Sequence, residues 1–284
     1  MSKFVDSILD LRYARPNFII IGAQKGGTTS LYDYLVQHPQ VLSARRKELH
    51  FFDFGYERGQ LWYRRHLPDK SQLRREQNRV GASVITGEAS PGYMVFPQTP
   101  ERIHRFVPQV KLIVLLRNPV DRAYSQYQMN IAKETTYFAD EKRHVLREPL
   151  QFEDAIAAED ERMKVAMELL DRDPLSSGRW FQMHSYQTRG LYARQIRHWL
   201  QWFPREQMLF LESSDFYKNT DQNYARVLEF LGLQPWSLQK YEAKLAGGCR
   251  KKMSPTTRTQ LLEYFKPHNE DLYKLLGQRF DWDK

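Results

Sequence analysis

Short apolar runs alternate along the chain with longer stretches whose apolar positions recur at helical spacing. Asn17 to Gly22 (NFIIIG) is rich in β-branched residues and closes on a glycine, the pattern of a buried parallel strand entering a tight turn. Leu31, Tyr34 and Leu35 follow at helical spacing and stop near His38-Pro39, so this region predicts a strand, a loop and a helix. Ala82 to Gly87 (ASVITG), Lys111 to Leu116 (KLIVLL) and Met208 to Leu211 (MLFL) predict further strands, with helices around Gln98 to Phe106 and after Pro119. Strands alternating with helices imply an α/β fold on a P-loop-like, doubly wound parallel sheet flanked by helices, its ligand site at the carboxyl ends of the strands.

Two regions depart from that alternation. Residues 133–185 are charged, helix-prone at Glu153 to Leu170 and interrupted by DRDPLSSG, and they predict a helical insertion over the sheet edge, a candidate lid. From Ser254 onward, a Ser-Pro start and periodic Leu261, Leu262, Phe265, Leu272 and Leu275 predict a C-terminal helical region at 254–284, broken in two near Pro267. The 284 residues suit one domain spanning 1–284.

Composition narrows the partners. A formal charge of +9 favours an anionic ligand, but the basic residues are dispersed and form no long tail, which disfavours nucleic acid. The single cysteine, Cys249, excludes an intrachain disulfide and any multi-cysteine metal site, and fits a reducing compartment. No stretch is apolar and long enough to span a bilayer, and the amino-terminal residues lack a signal peptide's continuous apolar core, so the expected location is cytoplasmic.

The chemistry concentrates between the first strand and its helix, in Gly22-Ala-Gln-Lys25-Gly26-Gly27-Thr28-Thr29-Ser30. Glycines let backbone approach an anion, and the helix that follows aims unpaired N–H groups and its positive dipole end at it. Lys25 precedes the glycine pair, the reverse of the GxxxxGK[ST] order, which disfavours an ordinary ATP or GTP site. A second element, Arg117-Asn-Pro-Val-Asp-Arg-Ala-Tyr-Ser125, follows the strand KLIVLL and pairs a bidentate phosphate donor with a helical hydroxyl. Lys47-Glu48-Leu49-His50-Phe51-Phe52-Asp53 supplies titratable groups; in an extended, alternating segment Glu48 and His50 would share a face.

Taken together, these elements resemble the sulfotransferases that use 3′-phosphoadenosine 5′-phosphosulfate (PAPS), in the branch that includes the heparan sulfate glucosaminyl 3-O-sulfotransferases and bacterial relatives. The resemblance implies transfer of a sulfuryl group to a hydroxyl or amine by in-line displacement, with no metal required. It makes Lys25 the residue that neutralises the leaving oxygen, with Gly26, Gly27, Thr28, Thr29 and Ser30 around the 5′-phosphate and Arg117 and Ser125 on the 3′-phosphate. Tyr192, in Gly190-Leu191-Tyr192, is similar to a tyrosine near the adenine, and Arg250, Lys251 and Lys252 occupy the place of a basic loop over the nucleotide. Glu48 matches the family's base, with His50 as helper or alternative base. Glu88 and Tyr93, in GEASPGY, together with Trp180 in the insertion, are expected on the acceptor side; Ala89 stands where the heparan enzymes carry lysine. That departure, with the expected lack of a leader or anchor, points to a small natural product, a lipid or a soluble glycan as acceptor. The competing reading is a basic module that binds nucleic acid or acidic glycan without chemistry, which accounts for the charge but not for the paired loops.

Overall fold

The computed structural model describes residues 12–132, 135–139, 142–146, 148–169, 174–241 and 252–283. They fall in two compact units, bounded at Leu116/Arg117, His198/Trp199 and Ala246/Gly247.

The first unit is built on a parallel sheet of β1 (Phe18–Gly22), β2 (Val41–Ser43), β3 (Ile85–Ala89), β4 (Lys111–Leu116) and, late in the chain, β7 (Met208–Glu212), in the order β2-β3-β1-β4-β7. β1 and β4 are buried at successive positions, so both their faces are covered, and FIIIG and LIVLL accordingly read as continuous apolar runs rather than alternating ones. Helices α1 (Thr28–Leu35), α2 (Gly59–Arg64), α3 (Lys70–Val80), α4 (Thr99–Phe106), α10 (Ser213–Lys218) and α11 (Thr220–Leu231) belong to this unit. One face of the sheet packs through Phe18, Ile20, Ile113 and Leu115 against Leu31 and Leu35 of α1 and Val227 and Leu228 of α11. Each of these side chains contributes roughly 1.5–3 kcal/mol when fully buried.

The second unit contains α5 (Pro119–Ala132), a hairpin of β5 (Thr135–Ala139) and β6 (Lys142–Leu146), α6 (Phe152–Ala157), α7 (Glu159–Leu169), α8 (Pro174–His184), most of α9 (Tyr192–Leu200) and α12 (Pro255–Leu276). Its core joins Val120, Ala123 and Tyr127 of α5 to Phe152, Tyr186, Leu261 and Phe265.

The predicted strands appear at β1, β3, β4 and β7, with β3 displaced by a few residues toward the GEA sequence. Two expectations are corrected. The insertion is not wholly helical, because β5 and β6 pair as an antiparallel hairpin before α6 begins. The C-terminal helix is not broken near Pro267: α12 runs without interruption from Pro255 to Leu276 with Pro267 inside it. A proline there removes one backbone hydrogen bond, while Leu261, Phe265, Asn269, Leu272 and Tyr273 keep one face buried along the whole length. Pro255 fills the first helical turn, where the missing N–H costs nothing.

Candidate active site

β1 ends at Gly22, and the chain then turns across the end of β4 before entering α1. The Ala23 amide donates to the Leu115 carbonyl (2.8 Å) and the Gly26 amide to the Ala23 carbonyl (2.9 Å). A Cβ at Gly26 would lie 2.4 Å from the Leu115 carbonyl oxygen, so only glycine lets the loop lie this close to the strand. Gly27 caps α1 with φ 104°, and no side chain caps the helix, so the amides of its first turn make no intrahelical bond and its dipole end stands open to an anion. Lys25 is half-buried at φ 72°, a left-handed conformation that costs an ordinary side chain about 1–2 kcal/mol. Ser30, fully buried, has its Oγ 3.2 Å from the Tyr217 hydroxyl, and Thr28, two residues earlier, is buried as well.

The segment after β2 carries the second group of side chains, and its conformation differs from the expected extended one. Glu48 and His50 both adopt positive φ, 57° and 49°, so they are brought together by two left-handed residues rather than by strand alternation. The outcome is nonetheless a shared face: His50 Nε2 is 3.8 Å from Glu48 Oε2. His50 Nδ1 is 2.7 Å from Asp53 Oδ2, whose side chain is fully buried. Burial opposes charge on the imidazole, but the Asp53 carboxylate, assisted by Glu48, outweighs it and lifts His50 to about 9. At neutral pH His50 is therefore an imidazolium held between two carboxylates.

The sequence alone assigns no role to Lys47 or Asp53. The Lys47 ammonium donates to Thr29 Oγ1 in the first turn of α1 and stands 3.8 Å from Glu48 Oε1, with its pKa lowered by burial against the pull of Glu48. Asp53 was within reach of inspection, since a carboxylate three residues after a histidine can return to it in a tight turn. Nothing in the sequence indicates Lys47, because its partner Thr29 belongs to a separate element, the first turn of α1.

Glu88 and Tyr93, expected on the acceptor side, expose no surface. Both Glu88 oxygens accept hydrogen bonds, from Ser90 Oγ (2.7 Å) and from the Tyr93 hydroxyl (3.1 Å), and burial pushes the carboxyl up to about 7 against those bonds. In the second unit Arg117, the residue after β4, is half-buried, and its carbonyl accepts from the buried Tyr192 hydroxyl (2.9 Å). Ser125 is half-buried on α5. Trp180 on α8 packs against His184 with the rings tilted at 46° and their centroids 4.2 Å apart. Lys252 is exposed, whereas Arg250 and Lys251 lie outside the described residues.

These shifts set the pH dependence of stability. Between pH 4.5 and 7 folded Glu88 keeps a proton that the unfolded chain has released, so stability falls as pH rises. His50 is raised from 6.5, so its contribution is complete below pH 6.5 and is lost as pH rises toward 9. Each effect amounts to about 3 kcal/mol at most, and both act in the same direction. Thermal melts should give a higher Tm at pH 5.5 than at pH 9, with the lower part of the decline removed in Glu88→Gln and the upper part in His50→Gln. A Tm that rises over this range would contradict the assignment.

Among the described residues no helix is long and apolar enough to cross a membrane. A family model for the sulfotransferase domain matches residues 15–283. The chain is 30% identical to human heparan sulfate glucosamine 3-O-sulfotransferase 6, over 94% of its length and 73% of that protein. It is 31% identical to human heparan sulfate glucosamine 3-O-sulfotransferase 3B1, over 94% of its length and 65% of the relative. Among solved structures, a sulfotransferase from Alicyclobacillus acidocaldarius superposes with a TM-score of 0.69 at 31% identity, covering 95% of this chain and all of the other. With the parallel sheet in place, the match over nearly the whole chain makes this protein an enzyme of sulfuryl transfer that belongs to the sulfotransferase domain family.

Proposed function

We propose that the enzyme takes its sulfuryl group from PAPS and delivers it to a hydroxyl of a small natural product, a lipid alcohol or a soluble glycan. The observation that carries this reading is the hydrogen bond from Lys47 to Thr29, which ties the turn bearing Glu48 to the start of α1, directly after the loop bearing Lys25. Group transfer needs a base at the acceptor and a cation at the leaving group, and one compact unit holds both.

The loop suits the phosphosulfate end of the donor: Gly26 leaves no room for a side chain, and the uncapped start of α1 directs amides outward. When bound, PAPS supplies the sulfuryl group and leaves as adenosine 3′,5′-bisphosphate. Lys25 neutralises the charge that grows on the leaving phosphate oxygen, with Gly26, Gly27, Thr28, Thr29 and Ser30 around the 5′-phosphate. Arg117 and Ser125 take the 3′-phosphate, Tyr192 lies toward the adenine, and Lys252 adds positive charge. Glu48 removes the acceptor proton. His50, already protonated below pH 9, is a poor proton acceptor and instead orients Glu48. Trp180 is proposed for the acceptor side.

The relatives' names specify heparan sulfate glucosamine. Here Ala89, buried at the end of β3, replaces the lysine of that branch and removes a cation that a polyanionic acceptor would meet.

Transfer from sulfur-labelled PAPS to heparan sulfate, phenols, lipid alcohols and neutral glycans tests the reading. Labelling within the last three classes is the expected result, and labelling of heparan sulfate alone would refute the acceptor assignment. Calorimetry should show micromolar or tighter binding of adenosine 3′,5′-bisphosphate. Arg117→Ala should weaken it about 10- to 100-fold by removing charge-assisted bonds to phosphate; undiminished affinity would move the 3′-phosphate elsewhere.

A further inference from the structure

The turn that presents Glu48 and His50 is held from beneath by one buried network. The His50 amide donates to Ser90 Oγ (3.3 Å), and the Phe51 and Phe52 amides donate to the Tyr93 hydroxyl (2.9 and 3.4 Å). Each of these hydroxyls has a single proton, and both protons are directed at Glu88, Ser90 to Oε2 and Tyr93 to Oε1. Their lone pairs are thereby turned toward the turn's amides. The backbone adds a further tie, from the Glu48 amide to the Ala89 carbonyl (3.1 Å).

Packing leaves this segment little alternative. A Cβ at Gly55 would lie 2.3 Å from the His50 carbonyl oxygen, and one at Gly92 would lie 3.2 Å from both Asp53 Oδ2 and His50 Cε1. Left-handed residues such as Glu48 and His50 persist only where the surroundings hold them.

We propose that Glu88 is a positioning residue for sulfuryl transfer: buried beneath residues 48–53, its carboxylate orients Ser90 and Tyr93 so that they fix the backbone presenting Glu48 and His50. The ionised form is the one that matches the network, because a protonated carboxyl would set its own O–H against one of the two hydroxyl protons directed at its oxygens. The groups acting on Glu88 are Ser90 and Tyr93 after β3, His50 in the turn, Tyr63 of α2 and Tyr32 of α1. Burial outweighs the help they give the charged form, so Glu88 titrates near neutrality. The inference rests on Glu48 being the base.

Release of adenosine 3′,5′-bisphosphate from PAPS, with water as acceptor, provides a rate that needs no identified acceptor. Wild-type turnover should rise with pH through about 7. Glu88→Gln places an amide donor against one of the hydroxyls; turnover should fall about 10- to 100-fold at pH 8 through misplacement of the turn. Its pH step should flatten, while affinity for adenosine 3′,5′-bisphosphate stays within about threefold of wild type, since the anion loop is untouched. Tyr93→Phe should lose turnover but keep the step. A Glu88→Gln enzyme with wild-type rate and pH profile would overturn the proposal; so would wild-type rates in Tyr93→Phe and Ser90→Ala, should Glu88→Gln fail to fold. Glu48→Gln separates the two readings. If it is inactive while Glu88→Gln is fully active, only the positioning role is lost; if it is fully active, the base assignment itself falls.

Discussion

Lys25→Ala is expected to lower sulfuryl transfer by about 100- to 1,000-fold, the loss that accompanies removal of one preorganised stabiliser of developing charge. That corresponds to about 3–4 kcal/mol of transition-state stabilisation. The structure allows this electrostatic loss to be separated from a folding defect. Lys25 sits at φ 72° in a loop whose path is set by Gly26 against the Leu115 carbonyl and by the Ala23–Leu115 hydrogen bond, neither of which uses the lysine side chain. Alanine retains the left-handed penalty and glycine removes it. Lys25→Gly should therefore melt above Lys25→Ala yet be equally impaired in turnover. A Lys25→Gly enzyme that recovers most of the activity would show that the lysine serves the loop's conformation and not the leaving group.

The sequence disclosed the part of this site that is built locally. KGGTTS follows a strand and opens a helix within a few residues, and the glycines, the lysine and the helix start are all near neighbours, so their arrangement was readable without a fold. The β4 run was readable for the same reason. The turn at 48–53 was not. Its residues alternate as in a strand, but the amides of His50, Phe51 and Phe52 find hydroxyls about 40 residues later in the chain, and that long-range pairing selects the left-handed backbone. Burial of Glu88 and Tyr93 was equally hidden, since an isolated carboxylate and a tyrosine in a loop-like GEASPGY ordinarily read as surface. Pro267 misled in the opposite direction: its local preference for a break yields to the buried face that α12 presents from Leu261 to Tyr273.

Glu48→Gln is expected to reduce transfer by about 100- to 10,000-fold, the range for loss of a positioned base, with donor affinity within about threefold. The size of the loss depends on which member of the Glu48–His50–Asp53 chain accepts the proton. His50 is raised to about 9 and is paired on both ring nitrogens, so at pH 7–8 it has no vacant site for a proton. Glu48 has its side chain 46% exposed and its oxygens turned toward Lys47 and His50, cations that fix its direction without taking its charge. Above pH 9 His50 loses its proton, the 3.8 Å contact to Glu48 ceases to be an ion pair, and turnover should decline. His50→Gln should keep measurable activity and lose that alkaline arm, because it removes the orienting charge but leaves the base. The opposite pattern, with Glu48→Gln active and His50→Gln inactive, would transfer the base role to His50 and require that the imidazole be neutral in the working enzyme.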